Sequence, residues 1–93
     1  MNRVIWTAFA LANLRAIRTY LAQFNPRAAE ALADRLISAG NSLENSPGRG
    51  RSVPGTEMRE LVTVSPYIIR YRIVGHQVVI LRVRHRARRP TRP

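Results

Sequence analysis

Four arginines stand at alternate positions in two neighbouring segments, Arg70 and Arg72 in Ile69-Arg70-Tyr71-Arg72-Ile73, and Arg82 and Arg84 in Leu81-Arg82-Val83-Arg84-His85. The second segment runs on into Arg86, Arg88, Arg89 and Arg92. A guanidinium is planar, always charged, and presents a fork of N–H donors that fits phosphate or carboxylate. Alternate residues of a strand share one face, so this spacing describes a basic surface for an anionic partner. The whole chain has the same bias: 16 basic residues, all arginine, stand against 5 acidic ones, for a net charge of +11. Such an excess steers polyanions and acidic proteins toward a small domain and gains from counterion release on nucleic acid. The choice of arginine over lysine is less telling, because a GC-rich genome produces it too.

Other chemistry is scarce. The absence of cysteine excludes a disulfide framework, a thiolate metal site and a thiol nucleophile. His76 and His85 are the only side chains whose ordinary titration lies near neutrality. Two histidines cannot make a zinc site, which needs three or four ligands. Gly50 and Gly55 belong to no phosphate-cradling pattern and read as loop-shaping residues. No cofactor and no metal are expected.

These side chains must be held by a scaffold, and the periodicity describes one. Arg3 to Trp6 is short, β-branched and aromatic and reads as a leading strand. Thr7 suits a helix N-cap. Ala10, Leu14, Ile17, Leu21 and Phe24 then recur at spacings of three and four, one apolar helical face. Asn25-Pro26 restarts the pattern with a capping residue and a proline at the first helical position. Ala29, Leu32, Ala33, Leu36, Ile37, Gly40 and Leu43 form the stripe of a second helix, and the short link predicts an αα-hairpin. Asn45-Ser46-Pro47-Gly48 ends it, and residues 46–56 read as a Gly/Arg loop. Beyond it the period becomes two, predicting strands near Met58–Val64, Tyr67–Val74 and Val78–His85, antiparallel because their links are so short.

The hairpin register decides where the arginines point. A two-residue Gly75-His76 turn would put Arg70 and Arg72 on the face of Val79, Leu81 and Val83, mixing charge into a core. A three-residue loop, Gly75 to Gln77, instead gathers Tyr71, Ile73, Val79, Leu81, Val83 and His85, and leaves Arg70, Arg72, Arg82 and Arg84 on the other face with Ile80. The second register buries apolar surface cleanly and is the one expected, since a slip of one residue exchanges the faces.

A chain of 93 residues supports one domain, here residues 1–85 with a basic tail at 86–93, and a core of modest size. The opening segment has no apolar run followed by a small-residue cleavage site, and Arg15 and Arg18 interrupt the longest apolar stretch. The expectation is a cytoplasmic chain with no membrane role.

The order of strand, helix hairpin, Gly/Arg loop, three strands and basic tail resembles the RelE/ParE toxin superfamily, its ParE branch most closely. The residues that carry the resemblance are Trp6 and Thr7 leading into Leu14, Ile17 and Tyr20; Gly50-Arg51-Ser52-Val53-Pro54-Gly55-Thr56; Arg59-Glu60-Leu61; Pro66-Tyr67-Ile68-Ile69-Arg70-Tyr71; and Val79-Ile80-Leu81-Arg82-Val83 followed by His85, Arg88 and Arg89. They span nearly the whole chain. The resemblance implies an α+β fold, an N-terminal strand and αα-hairpin packed on an antiparallel sheet in the order β-α-α-β-β-β. It also implies the toxin of a type II toxin-antitoxin system, neutralised by a cognate ParD-like antitoxin. ParE members poison DNA gyrase and RelE members cut mRNA on the ribosome, and one fold serves both.

RNA cleavage needs a base for a ribose hydroxyl, charge on the phosphate and an acid for the leaving oxygen. Arg59, Arg82 and His85 could supply it, but the C-terminal tyrosine of the family's nuclease pattern is absent. The expected mechanism is therefore binding of gyrase without catalytic residues, through Arg70, Arg72, Arg82, Arg84, Arg86, Arg88 and Arg89. The alternative is ribosome-dependent mRNA cleavage. A general nucleic-acid-binding module ranks last, because Tyr67 and Tyr71 fall on the core face and cannot stack on bases. Ala12, Ala16 and Tyr20 make a second stripe along the first helix, where an antitoxin helix could lie.

Overall fold

Thr7 ends the first strand and starts the first helix. The computed structural model describes residues 2–87. In it β1 (Arg3–Trp6) leads to α1 (Ala8–Ala22), whose N-cap Thr7 accepts a hydrogen bond from the Ala10 amide at 3.1 Å. Asn25 does the same for α2 (Pro26–Asn41) by accepting from the Ala28 amide, with Pro26 at the first position. The two helices form the expected hairpin.

Two 3₁₀ turns, Ser42–Glu44 and Pro47–Arg49, follow within the segment read as a loop, and then a two-residue strand, β2 (Arg51–Ser52). β3 (Met58–Leu61), β4 (Tyr67–Val74) and β5 (Gln77–His85) complete a five-stranded sheet of order β1-β5-β4-β3-β2. Strands β2 to β5 are antiparallel neighbours, but β1 lies parallel to β5, from Arg3 beside Gln77 to Trp6 beside Ile80. The sheet is thus mixed rather than purely antiparallel. Only strands joined by tight turns announce their direction in a sequence, and β1 is joined to β5 by most of the chain.

Both helices cover one face of the sheet. Ala10 and Leu14 of α1 and Leu36 of α2 meet Leu43, Leu61, Ile69, Tyr71, Val78, Ile80 and Val83 there, with Val4, Trp6 and Tyr67 packed around them. Gly40 permits the closest approach, since a Cβ at that position would lie 2.4 Å from the Trp6 ring. Phe24, expected on the core stripe, is 70% exposed because α1 has already ended, and it packs edge-on against Tyr20 instead. Ile37 is likewise exposed at the margin of the α2 stripe.

The β4–β5 hairpin corrects the expected register. Val74 pairs with Gln77 around a two-residue Gly75-His76 turn, with Gly75 at φ +59°, where a hairpin of this length favours glycine. Pairing continues to Tyr71 beside Ile80, then shifts, so that Arg70 stands opposite Arg82 and Leu81 is left as a bulge. On the turn side of the bulge Val78 and Ile80 face the helices and Val79 faces away, opposite to expectation. Beyond it Val83 and His85 face the helices, as expected. One extra residue reverses the phase of β5, so all four arginines still share the outer face.

Candidate functional site

The outer face of the sheet carries the arginines as a row across the strands. Arg51, Glu60, Arg70 and Arg82 are successive register partners from β2 to β5. Glu60 is buried, and Arg70 grips one of its oxygens through Nε at 3.1 Å and Nη2 at 2.5 Å. Arg51 Nη2 lies 3.8 Å from the other oxygen. Arg84 stands opposite Ile68, and Arg72 lies between Met58 and Val79. Arg72 and Arg86 are exposed, whereas Arg70, Arg82 and Arg84 are half-buried. Arg88 and Arg89 lie outside the described residues.

The bulge that aligns this row is held from the helix side. Thr7 Oγ1 donates to the carbonyls of Ile80 at 2.9 Å and Leu81 at 3.3 Å, and Asn13 Oδ1 of α1 accepts from the Val83 amide at 2.9 Å. β1 ends at Trp6, so these two side chains continue the hydrogen bonding of β5 where its neighbour strand stops. Burial first, then the nearby Arg84 and Arg70, lower the pKa of Arg82 from its ordinary value. The crowding of like charge is a direct consequence of the restored phase.

The residues considered for RNA cleavage are not gathered. Arg59 pairs with Tyr71 and so belongs to the helix-side face, where its Nη1 donates to the carbonyls of Gly50 at 2.6 Å and Gly48 at 3.2 Å. Tyr71 anchors the same loop, its hydroxyl donating to Pro47 O at 2.6 Å and accepting from the Gly50 amide at 2.8 Å. His85 also faces the helix side, edge-on to Tyr67, with Nδ1 accepting from the Ala87 amide at 3.0 Å. Arg82 is on the opposite face. Arg59 and His85 are further separated by the four-residue step from Tyr71 to Tyr67 along β4, about 13 Å at the usual rise.

Sequence reading did not place Glu60 at the centre of the arginine row, although Glu60 directly follows Arg59 in the chain. Strict alternation puts those two on opposite faces, and that signal was available. Thr7 and Asn13 as supports of the bulge had no such signal.

A separate open groove of about 460 Å³ runs along α1, lined by Ala12, Arg15, Ala16, Thr19, Tyr20 and Gln23. It contains all three residues of the second stripe. Among the described residues no cluster of His, Asp and Glu could hold a metal ion, and no helix is long and apolar enough to cross a membrane.

The family model for the ParE toxin of the type II toxin-antitoxin system parDE matches residues 4–90, nearly the full chain. The chain belongs to the ParE toxin family. Toxin RelE2 of Caulobacter vibrioides is 51% identical to this ParE-family toxin over 88 residues, covering 95% of this chain and 99% of the relative. Toxin RelE1 of the same organism is 39% identical over 88 residues, with 85% and 94% covered. Among solved structures, a chain of the chromosomal ParDE toxin-antitoxin system from P. aeruginosa superposes with a TM-score of 0.81 at 26% identity, over 91% of this toxin and 96% of that chain. The family model and both named relatives are toxins, and the superposed chain shares the fold.

Proposed function

We propose that this toxin arrests growth by binding DNA gyrase in the cytoplasm, as a protein inhibitor rather than an enzyme. The observation that carries the reading is the separation of Arg82 from His85 on opposite faces of β5, with Arg59 committed to the carbonyls of the Gly48–Gly50 loop. A nuclease needs its acid, base and phosphate-binding groups around one scissile bond. The outer arginine face, Arg70, Arg72, Arg82 and Arg84, is the contact surface for the target, together with Arg86, Arg88 and Arg89, which follow it in the sequence. The cognate antitoxin, a ParD-like protein, lays a helix in the groove of Ala12, Ala16 and Tyr20, an apolar floor with an arginine on its rim.

A second reading, ribosome-dependent mRNA cleavage, is favoured by the names RelE2 and RelE1 of two relatives. One pair of assays separates them. Purified toxin at stoichiometric amounts should block supercoiling by gyrase or trap cleaved DNA, and leave mRNA whole on translating ribosomes. Untouched supercoiling together with ribosome-dependent cutting, lost in a folded His85→Ala variant, would replace the first reading by the second.

A further inference from the structure

Arg82 is out of balance with its surroundings. It stands directly opposite Arg70 on the neighbouring strand, a position where like charges repel. Among the described residues its buried Nε has no hydrogen-bond partner, and it forms no ion pair. Glu60, the acid of the same row, already takes two bonds from Arg70 and faces Arg51 with its other oxygen. A buried donor without an acceptor is rare in folded proteins and costs free energy. The backbone bulge beside it is fixed by Thr7 and Asn13, so the placement is built rather than incidental. Bulges that re-aim a side chain are concentrated at functional sites.

The neighbours of Arg82 on this face narrow the class of anion. Ile5 pairs with Val79 there, and Ile68, only 4% exposed, stands apart from the helix-side core and opposite Arg84. The surface is arginine interleaved with aliphatic side chains. A single-stranded nucleic acid would want aromatic platforms for its bases, yet Tyr67 and Tyr71 lie on the helix side with the core. A carboxylate flanked by apolar side chains fits both parts of the surface.

We propose that Arg82 anchors a carboxylate-binding site on the outer face of the sheet, and that its occupant is a segment of a protein partner in which acidic and apolar side chains alternate. The proposal rests on reading this face as a contact surface, and does not depend on whether gyrase is the target. The bound carboxylate accepts from Arg82 and relieves its repulsion with Arg70 and Arg84. Aliphatic side chains of the same segment cover Val79 and Ile5, the part-buried aliphatic pair of this face.

The test uses the purified toxin and a fluorescent peptide alternating glutamate and valine over roughly ten residues, with single-stranded oligo-dT of equal charge as competitor. Anisotropy at physiological salt should report binding that falls about tenfold in Arg82→Gln, the order expected for loss of a charge-assisted hydrogen-bonded contact. Arg27→Gln, an exposed arginine of α2, should change it by less than about twofold, the diffuse effect of one screened charge. In the unsubstituted protein the Arg82 Nε–H resonance should move as peptide is added, a readout that needs no folded variant. Equal losses in the two variants, an unmoved Arg82 resonance, or displacement of the peptide by oligo-dT at matched concentration would each overturn the proposal, the last by making the site one for nucleic acid.

Discussion

The two faces of one sheet follow opposite rules. On the helix side the polar groups described above are answered from within the chain: the Tyr71 hydroxyl joins Pro47 and Gly50, Arg59 holds two loop carbonyls, and Trp6 Nε1 donates to Asn41 at 3.0 Å. On the outer side one buried acid serves a row of arginines, and Arg82 is left with a buried Nε that no group among the described residues accepts from. The first face is organised to hold the fold. The second is organised at the expense of the fold, which is the expected mark of a surface whose partner is another molecule.

That contrast can be broken first where it should be strongest. Leu36 is fully buried between α2 and the sheet, so Leu36→Ala should cost about 2–5 kcal/mol through lost burial and the cavity left behind. Urea unfolding followed by circular dichroism would show it as a lower midpoint with an unchanged slope. A loss under about 0.5 kcal/mol would mean that the helix side does not carry the stability and that the contrast between faces is misdrawn.

The link between the faces comes next. Asn13→Ala removes the acceptor from the Val83 amide and should cost about 1 kcal/mol, less than a core cavity because the site is only part-buried. Its sharper effect should be on the phase of β5. Amide exchange at Val83 and Arg84 should quicken relative to Val78 and Ile80, while the turn-side half of the hairpin keeps its protection. Uniform exchange along β5 would show that the bulge does not need α1 to support it.

The same bulge explains what the sequence could and could not reveal. Helices, caps and every strand but the two-residue β2 were legible because Thr7, Asn25-Pro26 and the change of period from 3.6 to 2 act locally. The grouping of Arg70, Arg72, Arg82 and Arg84 was legible too, but by a register that holds only beyond Leu81. The apolar residues Val78, Val79, Ile80 and Leu81 form an unbroken run that suits either phase, so alternation alone cannot locate an extra residue within it. What fixes that residue is Thr7 and Asn13, about seventy positions away in the chain. The parallel docking of β1 was hidden for the same reason. Of the site, Glu60 could have been placed by alternation against Arg59, whereas the orphaned Nε of Arg82 depends on burial and could be known only from the fold.

The smallest expected effect is the most pointed one. If the outer face gives up stability for contact, removing its unbalanced charge should cost the fold almost nothing. Arg82→Gln should therefore shift stability by no more than about 0.5 kcal/mol at moderate salt, and toward greater rather than lesser stability, since it relieves repulsion with Arg84 and Arg70. The sign is diagnostic when ionic strength is varied. Raising salt screens the repulsion in the unsubstituted toxin and should bring its unfolding midpoint up toward that of the variant, closing the gap. A variant clearly less stable than the parent at every salt concentration would mean that Arg82 is integrated into the fold after all, and the two faces would then differ in composition but not in purpose.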